Sequence, residues 1–584
     1  MNIHEKDILN TLKISGYKNQ RALSKEAGYS VGVVNRSIKT LFETGYIDKN
    51  AMLTEKAEKL IDDKSPKSAV ILAAGFGMRM VPINTELPKG LLTVKGERLI
   101  ERRIGQLKEA GINNIYVVVG FMKEKYEYLI EKYDVKLIVN DDYTTKNNLY
   151  TLKSAFPYMS NSYIVPCDIW CRVNPFKSNE LYSWYMMCDE IIPGSNIKVN
   201  RKKEIIKNTN LDEVNRMVGI AYVLNEDLDV IKKKIEYMSS HHRFDGAFWE
   251  DAAFEKNKMI FPSKNVKAED FVEINTYEQL RELDNDSKQL KTKAIETVKK
   301  VLDAKDEEIV NIKTLKKGMT NRSFLFECKG EKYIMRIPGE GTDHLINRRE
   351  EASVYGQIAD KGLCDDIKFI DPSTGYKITK YLEGARSCDP SNEEDLVKCM
   401  AKLKEFHNLK LKVDHEFDIF GKIEFYETLW EGAPSVYEDY KSTKEKVFSL
   451  QKYIDEHVEE KSLTHIDAVA DNFLFVNVNG KEEIRLIDWE YSAMQDVHVD
   501  IAMFCIYALY EKEDCDKLID IYFEGNCPEE IRTKIYCYIA ACGLLWSNWC
   551  EYKRALGVDF GEYSIKQYRY AKEFYKYAVE RMDK

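Results

Sequence analysis

The run Ala69-Val-Ile-Leu72-Ala73-Ala74-Gly75-Phe-Gly77-Met-Arg79 most constrains what this chain can fold into. Six apolar residues in an unbroken row read as a buried strand. The two glycines then turn the chain at the strand's end, where a backbone without Cβ can approach a polyanion closely. Asn114-Ile-Tyr-Val-Val-Val119-Gly120 and Ser162-Tyr-Ile-Val-Pro-Cys-Asp168 repeat the buried-strand pattern. Ligands of such open α/β sheets gather at the carboxyl ends of the strands, which makes Asp168 the natural metal ligand. The backbone from Leu72, Ala73 and Ala74 through Gly75 and Gly77 is placed to wrap a nucleotide's triphosphate. Arg79, and Lys89 in Leu87-Pro-Lys89-Gly-Leu-Leu92, are placed to neutralise charge on a departing pyrophosphate.

A second set of chemical residues lies far downstream. His465-Ile-Asp467, Asn472 and Leu486-Ile-Asp488-Trp489-Glu490 have the spacing of a phosphotransferase loop followed by a strand-end carboxylate. Phosphoryl transfer needs a base at the acceptor hydroxyl, here Asp467, and oxygen ligands for a metal, here Asn472 and Asp488. Upstream, the turn holding Gly318, Thr320 and Asn321 precedes the alternating run Phe324–Cys328, and Tyr333–Gly339 reads as the next strand. Those turn residues are candidates for nucleotide contact. Arg336 stands where protein kinases carry their strand lysine, with Glu351 on the following helical stretch as its partner.

This half resembles the choline/ethanolamine kinases, bacterial choline kinases in particular, over residues 311–577. Arg336, the Arg336-Ile-Pro-Gly339 segment, Trp546-Ser-Asn-Trp549 and Gly561-Glu-Tyr563 carry the likeness. The upstream motifs resemble the nucleotidyltransferases that join a nucleoside triphosphate to a phosphorylated small molecule. Asn147-Asn148-Leu-Tyr150 and Phe248-Trp249-Glu250-Asp251 resemble the choline-phosphate cytidylyltransferase branch, over residues 68–283. One departure stands out: Glu273-Ile274-Asn275 replaces a Glu-Ile-Asp whose aspartate is the second metal ligand in that branch. Asparagine can still donate a carbonyl oxygen but brings no charge, and Glu273, on the same strand face, could compensate.

The resemblances imply consecutive reactions. Choline and ATP would give phosphocholine, which with CTP would give CDP-choline and pyrophosphate, Mg2+ serving both steps. A trimethylammonium group is held by aromatic faces and a nearby carboxylate. Trp489, Glu490, Trp546, Trp549 and Tyr563 are the candidates in the kinase half, Trp489 foremost because it adjoins Asp488. Trp170, Trp249 and Glu250 are the candidates in the transferase half. The same chemistry on ethanolamine or another amino alcohol, sugar-phosphate activation, and a choline-responsive regulator with a degenerate transferase are the alternatives.

With 584 residues the chain is too long for one core. The expected organisation is multidomain α/β and α+β. It comprises a small winged helix-turn-helix over 1–64, a Rossmann-like nucleotidyltransferase with a mixed sheet over 68–285, a helical linker over 286–310 and a protein-kinase-like phosphotransferase over 311–584. In DNA-binding winged helices the third helix would offer Ser30, Asn35, Arg36 and Lys39 to the major groove. Residues 1–50 hold six Lys and two Arg against five acids, a weak basic surplus that leaves homodimerisation or docking equally open. The net charge of −10 argues against broad nucleic-acid coating. No apolar stretch is long enough for a membrane span, the N-terminus is too polar for a signal peptide, and thirteen scattered cysteines suit a reducing cytoplasm.

Overall fold

The structure, a computed structural model, describes residues 1–192, 197–208, 214–315, 321–339, 346–478, 480–555, 558 and 560–583. The chain divides into two compact units, Met1–Thr292 and Lys293–Lys584. Gly318 and Thr320, expected at the nucleotide turn, lie outside the described residues.

The first unit opens with helices α1 (Ile3–Ser15), α2 (Gln20–Ala27), α3 (Val31–Glu43) and α4 (Glu55–Lys64). Their starts are set by side-chain caps. Asn2 and Glu5 form a reciprocal capping box on α1, while Asn19, Ser30 and Thr54 each accept a backbone N–H of the helix they precede. An isolated antiparallel bridge joins Ile47 to Leu53 between α3 and α4. Leu181, from beyond this segment, packs into the same apolar cluster as Ile8, Leu9 and Leu41. Asp7 of α1 accepts a hydrogen bond from the Tyr182 hydroxyl at 2.9 Å. The helical segment therefore packs on the sheet domain that follows.

That sheet is mixed. Its strands are β1 (Ser68–Ala73), β2 (Ile115–Val119), β3 (Lys136–Val139), β4 (Ser162–Pro166), β5 (Trp184–Ile192), β6 (Ile197–Val199), β7 (Glu204–Lys207), β8 (Val214–Val223) and β9 (Lys258–Val266). They run in the order β3-β2-β1-β4-β8-β5-β9-β7-β6. Strands β3, β2, β1 and β4 are mutually parallel, and β8 enters antiparallel to β4. β1, apolar from Ala69 to Ala73, is an interior strand covered on both faces: Ala69, Ile71 and Ala73 face one cluster, Val70 the other. Outside this sheet, Ile169–Cys171 pairs antiparallel with Phe271–Glu273.

The second unit begins with a fully antiparallel sheet of β10 (Ile309–Thr314), β11 (Asn321–Cys328), β12 (Glu331–Pro338), β13 (Ile367–Ile370) and β14 (Lys377–Lys380), ordered β10-β11-β12-β14-β13. Helix α5 (Arg348–Ile358) follows β12. The remainder is mostly helical, built around α6 (His498–Tyr507), the 27-residue α7 (Glu529–Ala555) and α8 (Glu562–Met582). Where α7 meets α8, Gly543 is obligatory: an added Cβ would lie 2.8 Å from the Gln567 carbonyl and 3.2 Å from the Ala571 nitrogen. Among the described residues, no helix is long and apolar enough to cross a membrane.

Candidate active sites

In the first unit the loop after β1 closes down on the loop after β2, where the Phe121 N–H donates to the Ala74 carbonyl at 3.0 Å. A Cβ on Gly120 would meet that carbonyl at 2.9 Å and the Tyr143 side chain at 2.7 Å, so only glycine permits the approach. Gly77 takes the left-handed region with φ of 60° and delivers Arg79 and Lys89 to one place. Asp168 arrives from the end of β4, and Asn275 from just beyond Phe271–Glu273. The pairing of that strand with Ile169–Cys171, and the Ile274 N–H donated to the Asp168 carbonyl, bring them together.

The four side chains form one cluster. Lys89 Nζ donates to Asp168 Oδ2 at 2.5 Å and to Asn275 Oδ1 at 2.7 Å, and Arg79 donates to the same Asn275 oxygen at 2.9 Å. Lys89 thus occupies the gap between the two groups expected to hold a cation. Glu273 makes no hydrogen bond or ion pair with this cluster among the described residues, and its charge acts instead on Tyr185.

The aromatic candidates of this unit separate. Trp249 is 1% exposed and packs against Tyr185 in the core, so its ring presents no face to a substrate. Trp170 carries the Lys95 ammonium 4.5 Å and the Arg102 guanidinium 5.5 Å from its ring centre. A face already holding cations repels another, which removes Trp170 as a trimethylammonium contact. Glu250 behaves differently. It accepts from the Tyr185 hydroxyl at 3.1 Å, its other oxygen is buried without a hydrogen-bond partner, and burial pushes its carboxyl up to about 7. A carboxyl in that condition is stabilised by an arriving cation.

In the second unit the catalytic-type loop is held by its backbone. Asp500, fully buried in the first turn of α6, accepts from the N–H of His465 at 3.0 Å and of Ile466 at 2.7 Å, and from His407 Nε2 at 3.0 Å. Ile466 and Asp488 both sit in the left-handed region, with φ of 69° and 66°. Positive φ in non-glycine residues is costly and persists only where surrounding contacts impose it. His465 Nε2 donates to the Ile487 carbonyl at 3.0 Å, and burial pushes the imidazole pKa down to about 4, leaving it neutral.

Asp467, Asn472 and Asp488 then meet in one cavity of about 810 Å³. Asn472 Nδ2 donates to the Asp467 carbonyl and carboxylate at 2.9 and 3.1 Å. Burial, reinforced by Glu490, pushes Asp488 up to about 7; burial and then Asp488 push Asp467 upward strongly. A carboxylate raised by its neighbour, which is itself raised by a third, marks a site short of positive charge. That is the observation a divalent cation fits, with Asp488 and Asn472 as oxygen donors. Among the described residues there is no cluster of three or more His, Cys, Asp or Glu suited to hold a metal by protein groups alone.

Arg336 and Glu351 pair bidentately, and Arg336 also donates to the Gly375 carbonyl at 2.9 Å. Arg348 bridges Glu351 and Glu490 at 3.1 Å each. Glu490 accepts additionally from Asn321 at 3.0 Å. Its carboxylate is thus held by a buried arginine and an amide while it lines the same cavity as Asp467 and Asp488. The expectation for Trp489 is corrected. It is 0% exposed, packs edge-on against Phe406 and His465, and donates its indole N–H to the Leu486 carbonyl at 2.7 Å. The chain reverses at Asp488, sending Trp489 into the core beneath the loop. Trp546, Trp549 and Tyr563 do line the cavity, joined by Tyr491 and Phe560. Tyr491 adjoins the Trp489-Glu490 motif and was discoverable there; Asp500 and Lys377, the latter also lining the cavity, carry no sequence signal.

Residues 312–541 match the family described as Choline/ethanolamine kinase, and residues 69–173 match the MobA-like NTP transferase domain. Over 117 residues the chain is 43% identical to a choline-phosphate cytidylyltransferase of Streptococcus pneumoniae, covering 20% of this chain and 51% of that protein. The match thus spans about half the length of that relative. Over 262 residues it is 29% identical to Protein LicA of Haemophilus influenzae, covering 43% of this chain and 96% of that protein. The crystal structure of choline kinase LicA from Streptococcus pneumoniae aligns at 28% identity with a TM-score of 0.42, over 48% of this chain and 97% of that one. The chain carries a choline kinase-like domain and a choline-phosphate cytidylyltransferase-like domain.

Proposed function

We propose that the chain is a bifunctional cytoplasmic enzyme that phosphorylates choline with ATP and then transfers a cytidylyl group from CTP to the phosphocholine, giving CDP-choline and pyrophosphate. The observation that carries this reading is the single cavity in which Asp467, Asn472 and Asp488 share a volume with Trp546, Trp549 and Tyr563. One end suits phosphate chemistry and the other suits a trimethylammonium group, which aromatic faces attract and hydrogen-bond acceptors cannot grip because it has no N–H. Ethanolamine, a primary ammonium, would need hydrogen-bond acceptors at that end.

In the kinase step Asp467 accepts the proton of the choline hydroxyl as that oxygen attacks the γ-phosphorus of ATP, the bond to the β-phosphate oxygen breaks and ADP leaves. Asn472 holds Asp467 in position, and Asp500 holds the loop backbone. Asp488 and Asn472 would hold Mg2+, which supplies neutralisation of the phosphate charge when bound. In the transferase step a phosphocholine oxygen attacks the α-phosphorus of CTP and pyrophosphate leaves. Arg79 and Lys89 meet the developing charge, and Glu250, with its unpartnered oxygen, faces the choline group. Asp168 and Asn275 would hold the metal once Lys89 swings from between them toward the phosphates.

For helices α1–α4, the Asp7–Tyr182 hydrogen bond and shared apolar cluster favour a docking role on the transferase. Contact of Ser30, Asn35, Arg36 and Lys39 with DNA is the alternative, read out by a salt-dependent gel shift.

Phosphorus NMR of the purified chain with Mg2+, ATP, CTP and choline tests the main reading. Phosphocholine without CTP, and CDP-choline plus pyrophosphate with it, are expected. Phosphocholine that accumulates unconsumed would refute the transferase half, and no turnover of any amino alcohol would refute both.

A further inference from the structure

Lys377 begins β14 directly opposite Arg336 of β12 in antiparallel register, and the cavity that holds Asp467, Asn472 and Asp488 is lined by both. Only 7% of Lys377 is exposed. Its ammonium donates to the Tyr355 hydroxyl of α5 at 2.7 Å, and it makes no ion pair among the described residues. An ammonium has three donors, so two remain for the cavity.

The neighbouring cations are committed. Arg336 spends both terminal nitrogens on Glu351 and one of them also on the Gly375 carbonyl. Arg348 is spent on Glu351, Glu490 and Asn321. These two arginines and two glutamates balance one another, and Lys377 stands outside that balance. Glu351 and Asp488 feel its charge, and Asp365 lines the same cavity as Asp488. Like charges directly across a strand pair disfavour the fold, and a buried cation without a carboxylate partner disfavours it further. Both penalties are relieved when a polyanion fills the cavity.

We infer that Lys377 is a cation that grips the nucleotide's phosphates beside Arg336, whose guanidinium also ties α5 to the sheet through Glu351. This assignment rests on the kinase reading above. It adds a phosphate contact one strand away from the position at which the sequence suggests one.

Isothermal titration of ADP and of adenosine into the full chain, with the transferase site kept saturated by CTP, tests it. For Lys377→Met, ADP affinity is expected to fall about ten- to a hundredfold, the size of a charge-assisted hydrogen bond lost. Adenosine affinity is expected to stay within about twofold, because adenosine carries no phosphate. Lys377→Arg, which keeps the charge, should retain most of the ADP affinity. Unchanged ADP binding, or an equal loss for ADP and adenosine, would overturn the assignment. A wild-type chain that binds neither ligand refutes the kinase reading itself, and the assignment falls with it.

Discussion

Replacing Asp488 by asparagine should stabilise the second unit while abolishing choline phosphorylation. Burial and Glu490 raise the Asp488 carboxyl to about 7. In the unfolded chain it titrates in the ordinary carboxylate range, so between about pH 4 and 7 the folded state binds more protons than the unfolded one. Stability therefore falls as pH rises across that window, and the full penalty stands above it. A shift of this size corresponds to about 4 kcal/mol at most, which solvent entering through the open cavity reduces to about 2 kcal/mol. Asparagine keeps the shape and removes the charge. Scanning calorimetry of the full chain without divalent cation, following the transition that ADP shifts and CTP does not, reads the effect. Near pH 7.5 the variant should melt about 3–6 °C higher than wild type, and near pH 4 the two should coincide. Mg2+ should raise the wild-type midpoint and leave the variant's unmoved. A variant that melts lower at pH 7.5, or a difference that does not grow with pH, would refute the argument that uncompensated charge resides at Asp488.

Other expectations follow from the same geometry. Asp467→Asn should lower kcat for choline phosphorylation about 10²–10⁴-fold, leaving ADP affinity and cytidylyl transfer intact, as steady-state kinetics of each half-reaction will show. Asn275→Asp adds a charge beside Lys89 and Asp168, so Mg2+ half-saturation of cytidylyl transfer should move to lower concentration; movement to higher concentration would mean that a tighter Lys89 ion pair excludes the metal. Trp549→Ala should raise the choline KM about tenfold with little change in the ATP KM, whereas Trp489→Phe should lower the melting temperature and leave both KM values near wild type.

Sequence alone determined those features whose physics is local or periodic. An unbroken apolar run before glycines reads as a buried strand because strands covered on both faces need no polar alternation, and β1 is an interior strand of its sheet, flanked on both sides. Ser30 caps α3 because a short polar side chain before an apolar period satisfies orphan N–H groups wherever it occurs. Asp467, Asn472 and Asp488 were legible as a set because one loop and one strand end carry them.

Tertiary structure decided which way each side chain faces and what it meets. Trp489 follows Asp488 by a single residue, yet a left-handed turn at Asp488 sends it into the core. Glu490 looked like a free carboxylate until α5 delivered Arg348 to it from 142 residues away. Lys377 carries no signal among 87 lysines and arginines, and becomes notable only when strand pairing sets it opposite Arg336 with no acid bonded to it. Asp168 and Asn275, far apart in sequence, share Lys89 because two short strands pair outside the main sheet. Spacing encodes the residues a chemistry requires; the burial and pairing that set their charge arise from contacts between distant segments, which no local pattern records.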